Sequence, residues 1–189
     1  MPPEAVPAAL PELEAISDAW LASRHAHEKG FSVAAFLPAY LAQQSVALLR
    51  QNGKPVAFVS LMATAQKREA CIGIMRHTDE ASTYAMEFLF TRLALDLKEA
   101  GYAMLSLGMA PLAGLGPRAA VFALAPAGRT ALGAWRPGSI ISRGLRSFKG
   151  KFQPVWEPRY LAATGTVGPF LALADVAALA GGAPKVETA

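Results

Sequence analysis

The stretch GLRSFKGKF, residues 144–152, sets Arg146, Lys149 and Lys151 among Leu145, Phe148 and Phe152, and it runs on into QPVWEPRYL with Trp156, Arg159 and Tyr160. Arg143 stands just before it. Guanidinium and ammonium groups at this density can hold phosphate, or stabilise negative charge that develops on a reacting oxygen. Residues 1–117 carry 9 Lys/Arg and 11 Asp/Glu, a balance of −2, whereas residues 118–159 carry 8 Lys/Arg and the single Glu157, a balance of +7. All the excess positive charge of the chain therefore sits in one segment, the pattern expected of a site for nucleic acid, phospholipid headgroups or another phosphorylated partner. Arg143, Arg146, Lys151 and Arg159 are candidates for that binding. The alternative is a solvated helix, with Leu145, Phe148 and Phe152 on its apolar face and Arg146 and Lys149 on another. Trp156 and Tyr160 are expected to pack in a core rather than to serve as stacking platforms.

Elsewhere the chemistry-bearing residues are few. In EACIGIMRH, Arg76 is either a strand arginine reaching solvent or a functional cation, and the adjacent His77 is a possible general base. Cys71 is the sole cysteine and lies among apolar neighbours, so it reads as an inert thiol in a reducing compartment. Metal ligation needs three or four converging Cys, His or carboxylate groups, and only His25 and His27 lie close together, so no metal is expected. GLGPRA at 114–119 lacks the Lys-Ser/Thr ending of a phosphate loop.

The elements that must position these residues follow from periodicity. A chain of 189 residues, 53% hydrophobic and 17% charged, suits one compact domain, expected over 12–181 between a flexible, proline-rich leader (1–11) and a flexible tail (182–189). LEAISDAWLASRHA spaces its apolar residues as an amphipathic helix does, and a short helix is expected near LPAYLAQQ. SVALLRQ, PVAFVSLMAT and EACIGIMRH read as strands, the first two joined by Asn52-Gly53, a strong hairpin signal. STYAMEFLFTRLALDLKEA repeats apolar residues at helical spacing and stops at Gly101. YAMLSLGM is a further strand, a helix is expected near Arg118–Leu124, PRYLAAT is a last strand, and residues 167–180 form a closing helix. No run of about 18 apolar residues exists to span a bilayer, and the N-terminus lacks a signal peptide's basic start, so a cytoplasmic location is expected.

Helix, three antiparallel strands, long helix, strand, helix and strand make an α+β arrangement around a central mixed sheet, the order found in GNAT-type acyl-CoA N-acyltransferases. A CoA enzyme of that kind places a glycine-rich turn before its long helix, where backbone N–H groups hold the pyrophosphate. The corresponding turn here, HTDEAST, holds Asp79 and Glu80 and no glycine. It would repel a pyrophosphate, and no cofactor is expected.

EKGFSVAAF, PVAFVSLM, IMRH, GYAMLSLGMAPLAGL and above all GLRSFKGKFQPVWEPRYLA resemble the C-terminal domain of bacterial aminoacyl-phosphatidylglycerol synthases, also called phosphatidylglycerol lysyltransferases or multiple peptide resistance factors. The resemblance runs from about residue 13 to residue 163 and implies one GNAT-like lobe of a two-lobed domain. It implies transfer of an aminoacyl group from aminoacyl-tRNA to phosphatidylglycerol without CoA, yielding a lipid that resists cationic antimicrobial peptides. The implied partners are charged tRNA, anionic phospholipid at the inner face of the membrane, and a second lobe or partner chain. Arg76 matches the family's functional arginine in a D-x-M-R strand, and Lys149 its functional lysine; both are implied catalytic residues. This sequence departs from the pattern where Gly73 replaces the aspartate, where Ala34-Ala35 replace Gly-Arg, and where Arg136 and Pro137 stand near an expected acid. Three readings stay open: an aminoacyltransferase, a non-catalytic lobe that binds anionic lipid or tRNA, and a CoA-dependent acyltransferase.

Overall fold

The computed structural model describes residues 1–28, 35–110, 140–160 and 162–165, with 168–169, 171–172 and 175–176 beyond them. Where one domain is expected over 12–181, the chain falls into two compact units, Met1–Gly108 and Met109–Ala189. The division comes where the sequence turns to Ala, Gly and Pro, residues that bury little apolar area or interrupt regular elements. The expected helix near Arg118–Leu124 and the tail at 182–189 lie outside the described residues.

In the first unit a single 3-10 turn, Pro3–Ala5, leads into helix α1, Val6–Ser23. Of the prolines that suggest a loose leader over 1–11, Pro3 opens the 3-10 turn and Pro7 and Pro11 lie within α1. Pro7 occupies the first turn, where a missing N–H costs nothing, and the bond lost at Pro11 is offset by a buried stripe of Val6, Ala9, Leu13 and Ile16. Met1 also pairs with the sheet, its carbonyl accepting from the Val46 N–H at 3.0 Å. The leader expectation is thereby corrected for these residues.

After the short helix α2, Pro38–Leu41, come strands β1 (Ser45–Gln51), β2 (Lys54–Ala63) and β3 (Glu69–His77), then helix α3 (Ala85–Glu99) and strand β4 (Met104–Ser106). The sheet order is β1-β2-β3-β4, antiparallel across the first two pairs and parallel between β3 and β4. Asn52 and Gly53 both take positive φ, 53° and 80°, as the type I′ turn between β1 and β2 requires. β2 is buried from Val56 to Leu61, so both of its faces are covered. Phe58 joins the α1 core with Leu13, Ile16, Leu41, Val46 and Ile74, while the alternate residues Ala57 and Val59 turn to the other face, against which α3 packs through Leu89, Phe90 and Leu93. α3 stops as the sequence predicts: Gly101 at φ 86° lets its N–H reach the Lys98 carbonyl and the Tyr102 N–H reach that of Leu97.

In the second unit a helix, α4, spans Ile140–Gly150, and Phe152 and Gln153 donate back to Lys149 and Gly150. The expected last strand over PRYLAAT is corrected: residues 154–160 and 162–163 belong to no described strand. Pro154 and Pro158 lack the N–H groups a ladder needs. Within the expected closing helix, 168–169, 171–172 and 175–176 are helical.

Candidate functional site

Arg76 projects from β3 on the side of α1. Its register partner on β2 is Phe58, a core residue, so the arginine leaves the sheet among apolar neighbours and is 4% exposed. A solvent-facing arginine would have needed the opposite parity on the strand. Its Nη2 donates to Glu28 Oε1 at 2.9 Å, and its guanidinium lies 4.0 Å from the centre of the Trp20 ring, which Arg24 also approaches at 4.7 Å. Burial pushes the guanidinium's pKa down, Glu28 opposes that shift, and Arg24 adds to it. Arginine stays cationic across the physiological range in any case. Among the described residues the locus thus holds two guanidiniums and one carboxylate, a net positive charge. Among the described residues, Arg76 Nη1 is buried and has no hydrogen-bond partner.

His77 is held next to this cluster. Nδ1 lies 3.1 Å from the Thr78 carbonyl and Nε2 lies 3.4 Å from Arg24 Nη2. With Nδ1 donating to that carbonyl, Nε2 accepts from Arg24, so the lone pair a general base would use already faces a cation.

Three residues away, the sheet carries a bulge. Val59 pairs with Met75 and Leu61 with Ile72, so Gly73 and Ile74 together face Ser60. The Ile74 N–H donates to Ser60 Oγ at 3.0 Å. A Cβ at Gly73 would lie 2.5 Å from Ser60 Oγ and 3.2 Å from Gln44 Oε1. The hydroxyl therefore fills the place of a side chain at position 73. Ser60 and Gln44 are both buried, and among the described residues Gln44 Oε1 has no hydrogen-bond partner.

In the second unit the basic residues separate by environment. Lys149 is 4% exposed and donates from Nζ to the Met109 carbonyl at 3.0 Å. It is not on a solvated face, because it shares the inward side of α4 with Leu145 and Phe148. Arg146 and Lys151 are exposed; Arg146 stacks over the Trp156 ring at 4.7 Å, and Lys151 Nζ lies 6.0 Å from the Phe148 ring. Arg159 pairs with Glu157 at 2.9 Å, both more than half exposed. Arg143 lies within α4. Trp156 and Tyr160 correct the expectation of core packing, since both are exposed. Residues 111–139, with Arg118, Arg129 and Arg136, lie outside the described residues.

The sequence points to Arg76 and Lys149 but not to Trp20, Glu28, Gln44 or Ser60, which set the surroundings of the first unit's locus. Glu28 is 48 positions from Arg76, and no local spacing links them.

The family described as phosphatidylglycerol lysyltransferase, C-terminal, matches residues 1–163. This chain belongs to that family. The phosphatidylglycerol lysyltransferase of Bacillus subtilis is 38% identical over 154 residues, covering 81% of this chain and 18% of that protein. The enzyme of the same name from Staphylococcus aureus strain MRSA252 is 34% identical over 152 residues, with 79% and 18% covered. Among solved structures, the C-terminal domain of a protein assigned as a lysylphosphatidylglycerol synthetase from Agrobacterium fabrum superposes with a TM-score of 0.79 at 39% identity, over 98% of this chain and 55% of that one. L-PGS from Bacillus licheniformis gives 0.72 at 35% identity, over 91% and 51%. The chain thus spans about a fifth of the length of these curated relatives and about half of the solved chains. Among the described residues of this lysyltransferase-family chain, no helix is long and apolar enough to cross a membrane.

Proposed function

We propose that the chain is an aminoacyltransferase domain that moves an aminoacyl group from aminoacyl-tRNA to the glycerol hydroxyl of phosphatidylglycerol or a related anionic lipid, without CoA. The observation that carries this reading is the buried Arg76, whose Nη1 offers an unused donor among the described residues of a phosphatidylglycerol lysyltransferase family member. A buried cation with a spare donor is poised to receive an anionic oxygen.

The ester joining an amino acid to tRNA is already activated. The lipid hydroxyl attacks its carbonyl, the ribose oxygen leaves and takes up the hydroxyl's proton, and one ester replaces another. The protein then has to orient the hydroxyl and stabilise the oxyanion and neighbouring phosphates. In this reading Arg76 is the first unit's cation for developing charge, Lys149 is the functional lysine that the family resemblance implies, and Arg143, Arg146, Lys151 and Arg159 supply phosphate contacts. The domain is a GNAT-like lobe acting with a second lobe or partner chain. Asp79 and Glu80 in the turn before α3 argue against CoA.

A second reading is a non-catalytic lobe that binds anionic lipid or tRNA. Gly73 favours it, because no carboxylate can project from a position whose side-chain space Ser60 Oγ occupies.

The test is a transfer assay with charged tRNA and phosphatidylglycerol vesicles. Wild type should form labelled aminoacyl-lipid, and Lys149→Ala should slow it by about 10²–10³-fold, the scale of losing one oxyanion donor. No product from wild type with several amino acids would overturn the first reading and leave the second.

A further inference from the structure

We propose that Val155, Trp156 and Tyr160, on the extended run after α4, form a docking edge that seats the second unit on the surface of an anionic bilayer. The proposal rests on the lipid substrate inferred above and names the surface that meets it. Val155 is 90% exposed, Tyr160 87% and Trp156 43%. Single exposed apolar residues are ordinary. These three fall within six consecutive positions, with Arg159 between them and exposed Arg146 stacked on the indole at 4.7 Å.

The backbone explains why they stand out. Gln153 takes φ 49° and turns the chain at the end of α4, and the two prolines that follow keep residues 154–160 out of any described ladder. No described sheet face claims the side chains. Trp and Tyr suit the headgroup level of a bilayer, since the ring is apolar while its N–H or O–H stays hydrated. Arginine and lysine beside them meet lipid phosphates. Glu157, the one acid of the run, is already paired with Arg159 at 2.9 Å. A nucleic acid could use the same cations and stack on the aromatics. It offers nothing to Val155, the most exposed of the three, whereas acyl chains do.

Vesicle binding by the 189-residue chain, measured with no aminoacyl donor present, tests this. Wild type should bind phosphatidylglycerol-containing vesicles and bind phosphatidylcholine vesicles much more weakly. Val155→Asp and Tyr160→Ser should each weaken the binding by about tenfold or more, while Val155→Leu keeps it. Both side chains already face water, so circular dichroism and the thermal midpoint should not move. Lipids brominated in the acyl chains should quench the tryptophan fluorescence of a Trp135→Phe chain, and adding Trp156→Phe should remove that quenching although Trp20 remains. Wild-type binding by Val155→Asp, or quenching that survives Trp156→Phe, would overturn the proposal. So would a loss of tRNA binding in Val155→Asp as large as its loss of vesicle binding. Transfer to a short-chain, water-soluble phosphatidylglycerol judges the catalytic reading separately, because it needs no bilayer: product there with no effect of Val155→Asp on vesicles sinks only the docking edge, and the reverse result sinks only the transferase.

Discussion

Glu28→Ala should destabilise the first unit by about 3 kcal/mol, a thermal midpoint lower by roughly 12 °C. The reason is an asymmetry between the partners. The Arg76 side chain is 4% exposed and the Glu28 side chain 26%, so removing the acid strands a cation that water cannot reach, with only the Trp20 ring left to attract it among the described residues. Removing the cation instead, as in Arg76→Met, leaves a carboxylate that can still be hydrated, and a side chain of similar length fills the slot beside Trp20. That variant should lose less stability while losing the donor that the proposed chemistry uses. Thermal unfolding of the two single variants checks the ordering. Equal losses, or a larger loss for Arg76→Met, would show that the pair is not desolvated as described.

Gly73→Ala should cost about 2–4 kcal/mol, from overpacking and from disturbing a buried hydrogen bond. The added Cβ meets Ser60 Oγ at 2.5 Å, and moving that oxygen takes away the acceptor of the Ile74 N–H. The Ser60→Gly, Gly73→Ala double variant relieves the contact, so its loss should be smaller than the two single losses added together. Urea unfolding of the four proteins reads the coupling; strict additivity would mean that the contact is harmless. Gly73→Asp is then no simple restoration of an acid, since it brings a carboxylate into the same occupied space. The glycine and the serine have to be exchanged together.

The legible parts of the fold are those that local chemistry dictates. Asn52-Gly53 specifies its turn because both residues tolerate positive φ, and Gly101 ends α3 for the same reason. The helical spacing of Leu89, Phe90 and Leu93 matches a face that is buried. The α+β arrangement with a mixed sheet follows from these elements. Family membership is carried by LGMAPL and FKGKFQPVWEPRY. What was not legible depends on tertiary partners. Pro7 and Pro11 look like breakers until a buried stripe holds the helix around them. Lys149 looks like a surface residue until the Met109 carbonyl receives it. Trp156 and Tyr160 look like core because aromatic residues usually are, and their exposure shows only once the run that carries them is found to join no described strand. The setting of Arg76 is the least readable of all, being built from Trp20 and Glu28 on distant stretches.

The order of strands in the sheet also says something about how the first unit comes into being. β1, β2 and β3 follow one another in space as in sequence, joined by loops of two residues (52–53) and five (64–68), so little chain entropy is lost in closing each pair. β4 can join only after α3 has carried the chain across, because a parallel neighbour needs a crossover. The meander should therefore be the nucleus, acquiring amide protection before Leu105 in pulse-labelled hydrogen exchange during refolding; simultaneous protection would refute that sequence. On this account the bulge that places Gly73 against Ser60, and the strand that carries Arg76, are among the earliest structure the chain makes, so changes there reach the folding rate as well as the folded state.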